Sequence, residues 1–114
     1  MIEVRELTHG YIQAFNARRI EKVADYMAQD FALTDPSVFN LTPKTKVLDY
    51  IQDLFDANEE LSFVANRILV DGNISVIHFS LTIGNTILDG VDVITWEGEK
   101  MIEMHAYLTQ RPAR

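Results

Sequence analysis

The apolar pattern of this chain changes period once, near Asn58, and that change constrains the fold more than any single residue does. Before Asn58 apolar residues recur at helical spacing; after it they alternate, as strands require. Val4, Leu7, Tyr11, Ala14 and Phe15 share one stripe of a helix that should end near Asn16-Ala17, and Ile20, Val23, Ala24 and Met27 predict a second, shorter helix. Phe31 to Asp35 reads as a brief strand that Pro36 ends or borders, because proline lacks a ladder donor and keeps the residue before it extended. Thr42-Pro43 reads as a helix start, with threonine as N-cap and proline at the first helical position, and Val47, Ile51, Leu54 and Phe55 supply the buried face of a third helix.

Leu61 to Val70, Ile74 to Ile83, Thr86 to Trp96 and Met101 to Thr109 alternate as strands, separated by the turn sequences Asp71-Gly72-Asn73, Gly84-Asn85 and Glu97-Gly98-Glu99. Four hairpin-linked strands make an antiparallel meander. With the helices first and the strands last, the expected class is α+β, with three helices packed on one face of a curved, mainly antiparallel sheet. Such a sheet closed by helices leaves a cone, and the mouth of a cone is a pocket. At 114 residues the chain is expected to form one domain over 1–114, with no linker or repeat, and its tail from Gln110 to Arg114 is expected to fray.

Charge and composition narrow the function classes. A formal charge of −7 argues against a nucleic-acid partner, which would need lysines and arginines gathered on one face; Arg18-Arg19 and Lys44/Lys46 sit instead near helix ends. The chain has no cysteine, so disulfide and thiol chemistry are excluded, and the composition fits a reducing, cytoplasmic setting. The N-terminus is charged from Glu3 onward and no apolar run approaches a membrane span, so no membrane partner is expected.

Three polar residues stand where the cone would turn them inward. Tyr11 lies on the buried stripe between Leu7 and Phe15, which suits a core tyrosine as well as a reacting one. Asp35, at a strand end before proline, can cap its own turn or face the pocket. Asp92 shares its strand phase with Gly90, Ile94 and Trp96, an apolar set that would desolvate its carboxyl and raise its pKa. A bulge at Gly90 would instead turn Asp92 outward and Asp89 inward. Phe39, Phe55, Phe63, Phe79 and Trp96 are expected as aromatic core and pocket wall, with Phe15, Met27, Ile94 and Met104 beside them.

The order helix, helix, short strand, helix and four strands resembles the nuclear transport factor 2-like, or cystatin-like, superfamily, and within it the SnoaL-like and ketosteroid isomerase-like branch. The patches that carry the resemblance are Gly10 to Ala17, Tyr26 to Pro36, Gly90 to Ile94 and Lys100 to Met104, and it spans nearly the whole chain. It implies that Tyr11, Asp35 and Asp92 are catalytic: Asp35 takes a proton from the carbon next to a carbonyl, while Tyr11 and a protonated Asp92 hold the enolate oxygen. That scheme is the one established for ketosteroid isomerases. The sequence departs from some isomerases in having Met27 and Ile51 where they carry further tyrosines, and in lacking a glycine-bearing loop after Asp35.

The resemblance thus implies a cofactor-independent isomerase or polyketide cyclase-like enzyme acting on a small apolar molecule. A non-catalytic module that binds an apolar ligand, or only dimerises, is the alternative on the same fold. An epoxide hydrolase would want an arginine beside a pocket aspartate, and none is suitably placed. His9 should face solvent. Val76, His78, Val91, Val93, His105 and Tyr107 fall on the outer sheet face, more apolar than a solvated face requires, which predicts a homodimer through that face. No third ligand accompanies His78 and His105, so no metal site is expected.

Overall fold

Residues 2–112 are described in a computed structural model of the chain. Val4–Asn16 forms helix α1, which turns Leu7, Thr8, Tyr11, Ile12, Ala14 and Phe15 inward as its apolar stripe dictates. Arg18, in the left-handed region at φ 59°, reverses the chain into α2 (Ile20–Asp25). Met27 does not extend that helix. It opens strand β1 (Met27–Thr34), four residues before the expected start at Phe31, because Met27 pairs with Met101 and the Tyr26 carbonyl accepts the Met101 N–H at 2.6 Å.

The third helix, α3, spans Lys44–Ala57 and begins one residue later than expected. Pro43 stands at the N-cap after a cis peptide bond, and Thr42 caps nothing: its hydroxyl donates to the Asp30 carbonyl of β1 at 3.3 Å. The other end of α3 is capped from a distance. The Arg18 guanidinium donates to the carbonyls of Phe55 and Asn58 and lies 5.1 Å above the Phe55 ring, a cation placed where the helix dipole is negative. The Asn16 side chain pins α1 to the sheet by bonding both the carbonyl (2.8 Å) and the N–H (3.1 Å) of Phe63.

Four long strands follow: β2 (Ser62–Asp71), β3 (Ile74–Ile83), β4 (Thr86–Glu97) and β5 (Lys100–Gln110). They form the expected antiparallel meander, turning at Gly72, Gly84 and Gly98, each near φ +60°, where only glycine is free of strain. β1 adds to β5 in parallel, giving one five-stranded open sheet in the order β1-β5-β4-β3-β2 with the helices on one face. The α+β class read from the sequence holds. Gln110 closes β5, and Arg111 donates its N–H to the Ile87 carbonyl and pairs with Asp89, so the expected fraying does not begin there; Ala113 and Arg114 lie outside the described residues. Among the described residues no helix is long and apolar enough to cross a membrane.

The inner sheet face meets the helices in a core that is fully enclosed at one end. There Trp96, Thr8 and Ser75 are buried together: the Trp96 indole N–H donates to the Ser75 hydroxyl at 3.0 Å, the Ser75 and Thr8 hydroxyls share a bond at 2.9 Å, and Thr8 donates to the Val4 carbonyl at 2.7 Å. Every polar atom of this cluster is satisfied, as burial demands. A register shift beside Trp96 places both Met101 and Met104 inward, closing this end of the cone.

Candidate active site

Toward the open end the same elements deliver different side chains. One helical turn beyond Thr8, α1 presents Tyr11, 6% exposed; four residues before Trp96, β4 presents Asp92, also 6% exposed. The β3–β4 ladder runs without a break from Ile74/Thr95 to Ile83/Thr86, so Gly90 makes no bulge and Asp92 keeps the inward phase. Asp89 points outward and is held by Arg111 and Ser80. Gly90 serves instead as a clearance, since a Cβ there would meet the Phe79 ring at 2.8 Å and the Tyr107 carbonyl at 2.3 Å.

Asp35, just past the end of β1, satisfies both readings of its sequence context. Its Oδ1 accepts the N–H groups of Ser37 (2.7 Å) and Val38 (3.0 Å), the turn cap that Asp before Pro favours. Its Oδ2 accepts the Tyr50 hydroxyl at 2.8 Å. Tyr11, Asp35, Tyr50 and Asp92 all line one cavity of about 280 Å³, whose remaining wall is almost wholly apolar. The sequence-predicted trio is therefore brought together.

The predicted wall is partly corrected. Phe15, Met27, Phe79 and Met104 line the cavity. Phe39 does not: it is 85% exposed, on the loop beyond Pro36, because Asn40 at φ 51° and the Leu33–Leu41 bridge turn that loop back along β1. Phe55 is buried between Phe15 and Arg18, one residue beyond Leu54, which takes the lining position. Ile94 and Trp96 have the inward phase but sit in the filled end of the cone, where the Tyr26 ring stands edge-on to the Trp96 indole. Phe63 lines the cavity as expected, stacking on Phe79 at 4.6 Å, and Phe31 adds aromatic wall beyond that expected from the sequence. Tyr50 was missed although the signal was present: it lies three residues after Val47 and four before Leu54, on the same helix stripe.

Burial, and then the charge of Asp35, pushes the Asp92 carboxyl from 3.8 up to about 7. Burial, and then Asp92, pushes the Tyr11 phenol well above its ordinary value. Each causal pair means that the charges sense one another across the cavity. Among the described residues neither Tyr11 nor Asp92 has a hydrogen-bond partner for its side chain, and no fully enclosed polar side-chain atom is left unpaired, so both groups open onto the cavity. A phenol and a protonated carboxyl are hydrogen-bond donors aimed into apolar space; Asp35 is an acceptor at its rim. Among the described residues no group of three His, Asp or Glu side chains is placed to hold a metal ion.

The profile of the SnoaL-like domain matches residues 8–104, a span that includes all three predicted polar residues. The chain belongs to the SnoaL-like domain family. Solved structures agree on the fold. This SnoaL-like domain superposes with a TM-score of 0.85 on a presumptive ketosteroid isomerase of Kribbella flavida, at 20% identity over 97% of this chain and 81% of that one. A presumptive SnoaL-like polyketide cyclase of Shewanella denitrificans gives 0.80, at 15% identity over 93% and 90%. A cystatin-fold protein of Novosphingobium aromaticivorans gives 0.86, at 16% identity over 93% and 98%. At such identities the likeness is one of fold, which hosts many chemistries. Among curated proteins no sequence matches this SnoaL-like domain significantly.

Proposed function

We propose that this SnoaL-like domain is a proton-transfer enzyme for a small, neutral, apolar carbonyl compound. The observation that carries the reading is the pair of buried acids, Tyr11 and Asp92, which have no side-chain partner among the described residues and open onto an apolar cavity that also holds the Asp35 carboxylate. Both groups point their polar atoms into the cavity, and a carbonyl oxygen bound there would accept from both. In this scheme Asp35 removes the proton next to the carbonyl, and Tyr11 and protonated Asp92 donate hydrogen bonds to the enolate oxygen as its charge develops. Return of the proton to another carbon gives isomerisation, and attack of the enolate on a second carbonyl gives aldol-type cyclisation. Neither needs a cofactor.

The test is conversion of a β,γ-unsaturated ketosteroid to its conjugated isomer, followed by ultraviolet absorbance, together with binding of β-naphthol as an enolate mimic. Asp35→Asn should abolish turnover, and Tyr11→Phe and Asp92→Asn should reduce it. Because Asp92 must carry its proton, kcat/KM should fall as pH rises through about 7. A wild-type protein that neither turns over the ketone nor binds the naphthol overturns the enzymatic reading in favour of a binding or dimerisation module.

We also propose that two copies pair through the outer sheet face. Cross-strand register joins Leu69, Val76, Val93 and His105 in one row and Arg67, His78, Val91 and Tyr107 in the next, an apolar stripe flanked by polar ends. Leu69 and Tyr107 are 55% and 62% exposed in the single chain. Sedimentation at micromolar concentration should give a dimer, and Val93→Asp a monomer; a wild-type monomer overturns the pairing.

A further inference from the structure

Asp35 has two oxygens, and the structure restrains them by different means. Oδ1 takes both of its hydrogen bonds from backbone, the N–H groups of Ser37 and Val38, and so sits wherever the turn puts it. Among the described residues Oδ2 is bonded to one group only, the Tyr50 hydroxyl at 2.8 Å, delivered across the cavity wall by α3. A carboxylate oxygen has two lone pairs, so Oδ1 is saturated and Oδ2 keeps one position free. The backbone therefore anchors the carboxylate, and the remaining freedom, the direction of Oδ2, is set by Tyr50.

We propose that Tyr50 is the positioning residue of this site: its hydroxyl holds Asp35 turned into the cavity, leaving a single free lone pair there as the proton-accepting position. The placement rests on geometry alone, whereas its catalytic consequence rests on the proton-abstraction reading above. The groups that can titrate near Asp35 and Asp92 are few. Tyr11 faces them from α1 and Tyr50 from α3; the cavity residues of β2, β3 and β5 are apolar, and among the described residues no lysine, arginine or histidine lines the wall. Asp92, on β4, feels the Asp35 charge. It thus reports where that charge sits. The bond is also visible from its other end, since burial, followed by the hydrogen bond and charge of Asp35, pushes the Tyr50 phenol up to about 12.

The test is titration of the Asp92 side chain by carbon-labelled carboxyl NMR in wild type, Tyr50→Phe, Asp35→Asn and the double variant. Without the hydroxyl, Asp35 loses its only cavity-side partner and turns to water at the mouth, so the Asp92 midpoint in Tyr50→Phe should fall by roughly half a pH unit. Asp35→Asn should lower it further, and adding Tyr50→Phe to that variant should change nothing more. An Asp92 midpoint that stays put or rises in Tyr50→Phe overturns the proposal, whether or not the protein proves to be an enzyme. With the ketone substrate, Tyr50→Phe should lower kcat about tenfold while KM and β-naphthol binding hold, because the mimic rests on Tyr11 and Asp92. Weakened β-naphthol binding in Tyr50→Phe assigns the tyrosine to ligand contact and overturns positioning. A wild type inactive on the ketone with the titration shift intact leaves the placement standing and removes only the enzymatic reading.

Discussion

The two ends of the cone are built from the same elements and treat buried polarity in opposite ways. At the closed end α1 contributes Thr8 and β4 contributes Trp96, and with Ser75 and the Val4 carbonyl their polar groups all find protein partners. At the open end α1 contributes Tyr11 and β4 contributes Asp92, equally removed from bulk water, with no protein partner among the described residues. Packing explains the first arrangement completely. The second turns its polar groups to a cavity instead of to protein, and that difference separates the two ends more sharply than burial does.

The largest effect is expected at the closed end. Trp96→Ala should cost about 3–5 kcal/mol in urea denaturation, through lost packing and an indole bond removed from Ser75. A loss under about 1 kcal/mol would show that this end is not the structural one. Nearly as large, and opposite in sign, is Asp92→Asn. The folded protein holds the Asp92 proton up to about pH 7, whereas an unfolded aspartate releases it near 3.8. Between those values the folded state binds the extra proton, so wild-type stability falls as pH rises through the window and the full penalty stands above pH 7. Asp92→Asn should therefore gain nothing near pH 3 and on the order of 4 kcal/mol at pH 8. An equal effect at both pH values would mean that the carboxyl is not desolvated.

Smaller effects refine the contrast. Ser75→Ala removes the hub of the satisfied cluster and should destabilise by about 1–3 kcal/mol, because Trp96 and Thr8 lose a partner where water cannot replace it. Tyr11→Phe removes a hydroxyl that opens onto the cavity and bonds nothing among the described residues, so stability should change by less than about 0.5 kcal/mol while β-naphthol binding weakens about tenfold. If calorimetry ranks Tyr11→Phe with Ser75→Ala in cost, the two ends are alike and the open end is ordinary core.

Much of this was legible beforehand where the signal was periodic. Alternation located the four long strands to within a residue or so and turned Asp92 inward, and the helical stripe turned Tyr11 inward. Where distant pairing competed with local pattern, local pattern misled. Met27 fits the stripe of α2 but joins β1 because Met101 is there to pair with it, and Thr42 looks like a cap but bonds β1. Phe39 has the character of a wall residue, yet it stands exposed on the loop beyond Pro36.

What the sequence determined by itself is the class of the fold, the meander with its glycine turns, and the face on which each regular element hides its side chains. Those follow from propensity and side-chain period, which are local properties. Only the tertiary structure decided that β1 lies parallel to β5, that the filled end of the cone stops short of Asp92, and that Tyr50 meets Asp35 fifteen positions away at 2.8 Å. The physical reason is that cavities and hydrogen bonds between elements depend on where separate segments are held relative to one another, and no local period encodes that distance.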